Sequence, residues 1–173
     1  MVLIAVGANL PLGEQAALAT CQEVVAALRA VEGIDVIAVS HWYESAPMPP
    51  SGQPPYVNGV VRIATDLPPY QLLNILQKLE ADYGRQRSVP NAARTLDLDI
   101  IAYNALCQTD PKLTLPHPRA HERAFVLLPL HDVAPEWVHP SLGVGVDALL
   151  DRVSGQQIRS IPSTALSCWR LIR

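Results

Sequence analysis

The chain has 173 residues, 49% of them hydrophobic and 17% charged, with a formal net charge of −3. That is material for one domain spanning 1–173, with a core large enough to need no disulfide staples, and its mildly acidic balance argues against a general nucleic-acid binder. Cys21, Cys107 and Cys168 are odd in number and far apart, with no Cys-x-x-Cys, which argues against a disulfide framework or a zinc site and fits a reducing cytoplasm.

The N-terminal Met1–Leu10 has no basic flank and only a five-residue apolar run, Val2–Val6, closed by Gly7-Ala8-Asn9. It reads as a first strand and not as a signal peptide. Leu18, Cys21, Val25, Leu28 and Val31 recur at steps of three and four, predicting a helix over Gly13–Val31. Asp35–Glu44 is β-branched and aromatic-rich and is predicted as one strand. The proline-rich run Pro47–Pro55 is a stiff loop, and Tyr56–Ala64 a third strand. Asp66-Leu67-Pro68-Pro69 opens a second helix with an apolar stripe of Leu72, Leu73, Leu76 and Leu79, stopped by Gly84. Thr95–Ala102 is a fourth strand. The order β-α-β-β-α-β predicts an α+β, ferredoxin-like core, an antiparallel sheet with helices on one face. A turn over Asn104–Thr114, a helix around Phe125–Leu130 and a loop over Pro135–Pro140 follow, and 143–173 is a C-terminal extension, helical or irregular, of unassigned role. No apolar run reaches the roughly 18 residues of a membrane helix.

The strongest chemical signal is Arg94-Thr95-Leu96-Asp97-Leu98-Asp99-Ile100-Ile101. Residues two apart in a strand share a face, so Leu96, Leu98 and Ile100 point to the core and both carboxylates to the other side. Two like charges this close repel unless a cation lies between them, and hard oxygen ligands with open positions suit Mg²⁺. An exposed strand that merely carries two aspartates is the alternative. Arg85, Arg87, Arg94 and Arg123 add guanidinium groups that can fork onto phosphate oxygens. There is no Gly-x-x-x-x-Gly-Lys-Ser/Thr loop, so a nucleotide site here is of another kind. Tyr56 and Asn58 also share a face, and the ferredoxin-like order puts them on the side of Asp97 and Asp99. A flat ring and an amide suit a planar heterocycle, although taken alone this pair fits better an aromatic packed under the proline loop. His117, between two prolines, is either a loop residue bonded to backbone or a donor to phosphate. No nucleophile lies near it to make a triad.

These segments together closely resemble 6-hydroxymethyl-7,8-dihydropterin pyrophosphokinases, from about residue 2 to residue 140. The likeness rests on Gly7-Ala8-Asn9-Leu10, Ser40–Pro47, Gln53-Pro54-Pro55-Tyr56-Val57-Asn58, Gln77 with Glu80, Gly84-Arg85-Gln86-Arg87, the Arg94–Ile101 signature, Thr114–His117 and Arg123-Ala124-Phe125. The resemblance implies transfer of the ATP diphosphate to the hydroxymethyl group of the pterin, giving AMP, with two Mg²⁺ ions on Asp97 and Asp99. It implies catalytic roles for Arg85, Arg94, Asp97 and Asp99. ATP would be bound by Gln77, Glu80, Arg87, Ile100, Lys112, Thr114, His117 and Arg123. The pterin would meet Ser45, Ala46, Met48, Tyr56, Asn58 and Phe125. The expected partners are small molecules, with no nucleic acid and no membrane, and the expected state is a cytoplasmic monomer.

Four features depart from the family pattern, among them a short loop before the signature arginine and a region beyond Gly143 longer than in compact members. Asn91-Ala92-Ala93 stands where an aromatic-Gly-Pro usually precedes the signature arginine, and Pro118 replaces an aromatic after Pro-His. The Gly84–Ala93 stretch is expected to be a mobile active-site loop. Competing readings are another two-metal nucleotidyltransferase or phosphohydrolase on the same kind of sheet, and an inactive ligand-binding relative.

Overall fold

The computed structural model describes residues 1–10, 16–46, 52, 54–84 and 95–162. The elements in chain order are β1 (Val2–Ala8), α1 (Ala17–Arg29), β2 (Ile34–Val39), β3 (Tyr43–Ser45), β4 (Tyr56–Thr65), α2 (Pro69–Asp82), β5 (Asp97–Tyr103), a short 3-10 turn (Ala120–Glu122), α3 (Ala124–Val133), α4 (Val146–Arg152) and β6 (Ile158–Ser160).

The sheet runs β5-β1-β4-β3-β6, with β2 also paired to β4. Every pairing is antiparallel. The last core strand beside the first, and the first beside β4, is the ferredoxin-like arrangement that the element order predicted. β1 is central, and its unbroken apolar run is what a strand covered on both faces requires. Val2, Ile4, Val6 and Ala8 join Val57, Val61, Ile63, Leu96, Leu98 and Ile100 in the layer under α1 and α2. Thr20, Cys21, Val24, Val25 and Leu28 form the buried stripe of α1, and Leu72, Leu76 and Glu80 that of α2. Burying a leucine such as Leu72 or Leu76 contributes about 1.5–3 kcal/mol. Proline at the first position of α2 costs nothing, because that amide has no helical partner, and Gly84 at φ +81° ends the helix where a side chain would be strained.

The two core helices lie on one face, as expected. The other face is not helix-free throughout. The C-terminal region places α3 and α4 over Leu3, Val60, Ile101 and Ala102, and Arg62 donates to the Val133 carbonyl and the Glu136 carboxylate near the end of α3. Asp97, Gly7, Asn58 and Tyr56 stay outside this second core, with partly buried Ala5 and Ile158 at its margin.

The single strand expected over Asp35–Glu44 is two strands. Ser40 causes the break. Its Oγ accepts the Val60 amide at 2.9 Å and donates to the His41 carbonyl at 2.6 Å, replacing ladder bonds with side-chain ones. Ile37 sits at a register shift and is 59% exposed. Trp42 turns inward over Gly59, where an added Cβ would lie 2.6 Å from the ring. Gly59→Ala should therefore destabilise the protein by about 1–3 kcal/mol, since neither a central strand nor a buried indole can yield cheaply. Urea unfolding measures this, and an unchanged midpoint would show that the Trp42 ring moves freely.

Candidate functional site

Cross-strand register builds one row of side chains. Asp97 pairs with Gly7, Gly7 with Asn58, and Asn58 with Tyr43, across β5, β1, β4 and β3. Neighbouring strands lie about 4.8 Å apart, so Asp97 and Asn58 are roughly 10 Å apart across Gly7. Asp99 pairs with Ala5 on the same face, and Tyr56 pairs with Ser45. The sheet thus brings together the acid pair and the ring-and-amide pair. Asp97 and Asp99 are both half-buried.

Asn58 is 8% exposed and its Nδ2 donates to Ser45 Oγ at 3.2 Å, while its Oδ1 overhangs Gly7. Ser45 is likewise 8% exposed, and Ala46 is exposed beside it. Tyr43 donates to the Asp132 carboxylate of α3 at 2.8 Å, and the His41 amide donates to the same oxygen at 3.1 Å. That single carboxylate ties the β2–β3 corner to α3. Phe125 lies in the first turn of α3, with the Arg123 guanidinium 5.4 Å over its ring, an attractive cation–π geometry.

A cavity of about 260 Å³ opens along the outer edge of β5, lined by Gln77, Glu80, Asp99, Ile100, Lys112, Thr114 and His117, with Leu73, Leu98, Leu113 and Pro118. β5 pairs only with β1 among the described residues, so backbone groups on this edge face the cavity. One residue, Ile101, is extra in the β1–β5 ladder. Its carbonyl accepts the His117 amide at 2.8 Å and docks the His117 loop on this edge. In the segment that supplies Lys112, Leu113 and Thr114, Gln108 and Leu115 form a bridge, and Tyr70 of α2 donates to Asp110. Thr114 Oγ1 donates to the Asp110 carbonyl at 3.0 Å, which leaves its lone pairs available.

His117 Nδ1 accepts the Arg119 amide at 3.2 Å. The neutral ring must then carry its proton on Nε2, which makes that atom a donor. Burial, and then the nearby Arg123 charge, hold its pKa below 6.5; the Asp97 charge pulls the other way and Arg119 lowers it further. His117, Arg123 and Asp97 therefore feel one another. His139 is also lowered, by burial and by His121. Both groups bind a proton more readily unfolded than folded. Stability should be fully present above pH 6.5 and should fall as pH drops from there through the folded values. The urea midpoint should be lower at about pH 5.5 than at about pH 7.5, and a flat profile would contradict the depressed values.

Arg85, Arg87, Arg94, Met48 and the loop expected over Gly84–Ala93 fall, apart from Gly84, outside the described residues. All the other residues of the expected site lie in the cavity, on the shared sheet face, or at the adjoining start of α3. Leu73, Leu113 and Asp132 also shape it. Nothing in the sequence signalled Asp132, because long-range hydrogen bonds leave no periodic trace.

Among the described residues, no three His, Cys, Asp or Glu side chains cluster as a metal cage. Two half-buried carboxylates on one face are the donor set of a Mg²⁺ site completed by water and phosphate, and not of zinc. The residues present fit Mg²⁺. No helix among the described residues is long and apolar enough to cross a membrane.

The family model for 7,8-dihydro-6-hydroxymethylpterin-pyrophosphokinase matches residues 3–135. A 2-amino-4-hydroxy-6-hydroxymethyldihydropteridine pyrophosphokinase of Synechocystis is 41% identical over 132 residues, covering 76% of this chain and 67% of its own. The enzyme of that name from Pseudomonas aeruginosa is 40% identical, covering 78% of this chain and 81% of its own. The Dictyostelium discoideum folic acid synthesis protein FOL1 is 39% identical over 72% of this chain, which spans 19% of that longer protein. The crystal structure of Plasmodium falciparum HPPK-DHPS with SDX-DHP shares the fold at a TM-score of 0.64 and 13% identity, over 87% of this chain and 43% of that one. The chain belongs to the 7,8-dihydro-6-hydroxymethylpterin pyrophosphokinase family, whose named relatives serve folate synthesis.

Proposed function

We propose that this chain, acting as one domain over 1–173, moves the β,γ-diphosphate of ATP to the hydroxymethyl oxygen of 6-hydroxymethyl-7,8-dihydropterin and releases AMP. The observation that carries this reading is the junction at β5: the carboxylates of Asp97 and Asp99 share a face with Tyr56 and Asn58, while a cavity lined by Gln77, Glu80, Lys112, Thr114 and His117 opens along the same strand's edge. Diphosphate transfer asks mainly for positioning and charge neutralisation.

ATP lies in the β5-edge cavity, with Gln77, Glu80, Lys112, Thr114 and the Ile100 backbone around the nucleoside. His117 Nε2–H and Arg123 face the phosphates, joined by Arg85, Arg87 and Arg94. The pterin lies over the open half of the sheet between Tyr56 and Phe125. Asn58, with the backbone of Ser45, Ala46 and Met48, reads its polar edge. The hydroxymethyl oxygen then points toward Asp97, its proton passes to solvent as the oxygen attacks the β-phosphorus, and the bond from that phosphorus to the oxygen bridging the α-phosphate breaks opposite it, so that AMP leaves with the bridging oxygen. Two Mg²⁺ ions held by Asp97 and Asp99 supply charge neutralisation for this transfer when bound. The chain works on small molecules as a cytoplasmic monomer, without nucleic acid or membrane.

Chromatography of ATP incubated with protein, Mg²⁺ and the pterin alcohol is the test. AMP and a pterin diphosphate should form, and only when all are present. ADP as product would instead favour a phosphohydrolase or simple kinase reaction.

A further inference from the structure

The family match ends at residue 135, yet a residue beyond it grips the site. Arg123 occupies the N-cap position of α3, and its side chain does not cap the amides of that helix. A helix start leaves amide donors without intrahelical partners. Here Gln156 Oε1 accepts the Ala124 amide at 2.9 Å, and Gln156 Nε2 donates to the Glu122 carbonyl at 2.8 Å. One side-chain amide, donor and acceptor together, thus holds the backbone on both sides of Arg123.

Gln156 is itself anchored from two directions. Its amide donates to the Val153 carbonyl at the end of α4. Two residues on, β6 pairs with β3, placing Ile158 opposite Ser45, and Arg159 forms an ion pair with Glu44 at 3.0 Å. The segment 156–160 therefore spans from the start of α3, which bears Arg123 and Phe125, to the strand that bears Ser45.

We propose that Gln156 is a positioning residue for the transfer: by clamping the Glu122–Ala124 backbone it aims the Arg123 guanidinium at the reacting groups. This rests on the site assignment above. A side chain that acts through Arg123 loses its effect once the guanidinium is gone, whereas one that only supports the fold does not.

The experiment measures kcat and KM for both substrates in Gln156→Met, Arg123→Ala, Phe125→Ala and the double variant Gln156→Met/Arg123→Ala. Methionine keeps the bulk and removes both hydrogen bonds, and Gln156 is exposed, so the fold should survive; urea midpoints check this. Gln156→Met should lower kcat/KM for the pterin alcohol about tenfold, and the same change should cost less than about twofold in the Arg123→Ala background. Gln156→Glu keeps the acceptor for Ala124 but loses the donor to Glu122, and should fall between. Equal losses in both backgrounds, or none from Gln156→Met while Arg123→Ala is damaging, overturn the positioning role alone. Wild-type kcat/KM in both Arg123→Ala and Phe125→Ala would overturn the site assignment itself, and this proposal with it.

Discussion

Asp97→Asn and Asp99→Asn should each lower kcat by about a thousandfold or more while leaving the urea midpoint close to wild type. Metal-assisted charge stabilisation is worth several kcal/mol, and each 1.36 kcal/mol is a factor of ten in rate. The side chains are half-buried on a sheet face and contribute no apolar surface to either core, so the isosteric amide should fold. A second readout does not depend on turnover. The Asp97 charge raises the pKa of His117 against the effects of burial and Arg123. Asp97→Asn should therefore move the His117 titration, followed by NMR, to lower pH. Near-native turnover in either variant would sink the metal assignment, and an unmoved His117 titration would show that the two groups are not neighbours in solution.

The parts of the site that were legible in the sequence are those with short-range periodicity. Asp97 with Asp99, and Tyr56 with Asn58, declare their shared faces by spacing of two, and the order of elements then puts β5, β1 and β4 side by side. Glu80 falls on the buried stripe of α2 at four residues from Leu76, which is why a carboxylate reaches the cavity from a helix. Other features were not legible. The split between β2 and β3 depends on one hydroxyl, that of Ser40, standing in for a ladder bond, and a β-rich run gives no warning of that. Helix α4 and strand β6 are seven and three residues long, too short for a period to emerge. Strand β6 exists because β3 presents an edge to it, which is a property of the folded sheet. Asp132 and Gln156 act through a few hydrogen bonds to residues more than 30 positions away in sequence, and no local pattern records such bonds.

Replacing Gly7 should cost acceptor binding without costing the fold. Gly7 sits between Asp97 and Asn58 in the row across the sheet, and its backbone needs no left-handed conformation. The constraint is space: a Cβ there would lie 2.9 Å from Asn58 Oδ1, closer than such atoms tolerate. Asn58 cannot retreat freely, since it is buried and bonded to Ser45, whose strand is pinned between β4 and β6. In Gly7→Ala the amide must rotate away from the position in which it would read the pterin edge. A site built to hydrogen-bond its ligand loses about 1–3 kcal/mol when one polar group is misplaced, or roughly 5- to 150-fold in affinity. Gly7→Val should fall at the upper end of that range. The nucleotide cavity lies on the other side of β5, so an ATP analogue should bind with near-native affinity. Stability has an opposing contribution: replacing glycine inside a strand gains about 0.5–1 kcal/mol of backbone entropy, which offsets part of the crowding. Calorimetry with the pterin and the ATP analogue in separate titrations distinguishes the cases. Selective loss of the pterin supports Asn58 as its reader. Equal losses of both ligands would mean the sheet itself has been distorted, and unchanged pterin binding would remove Asn58 from the site.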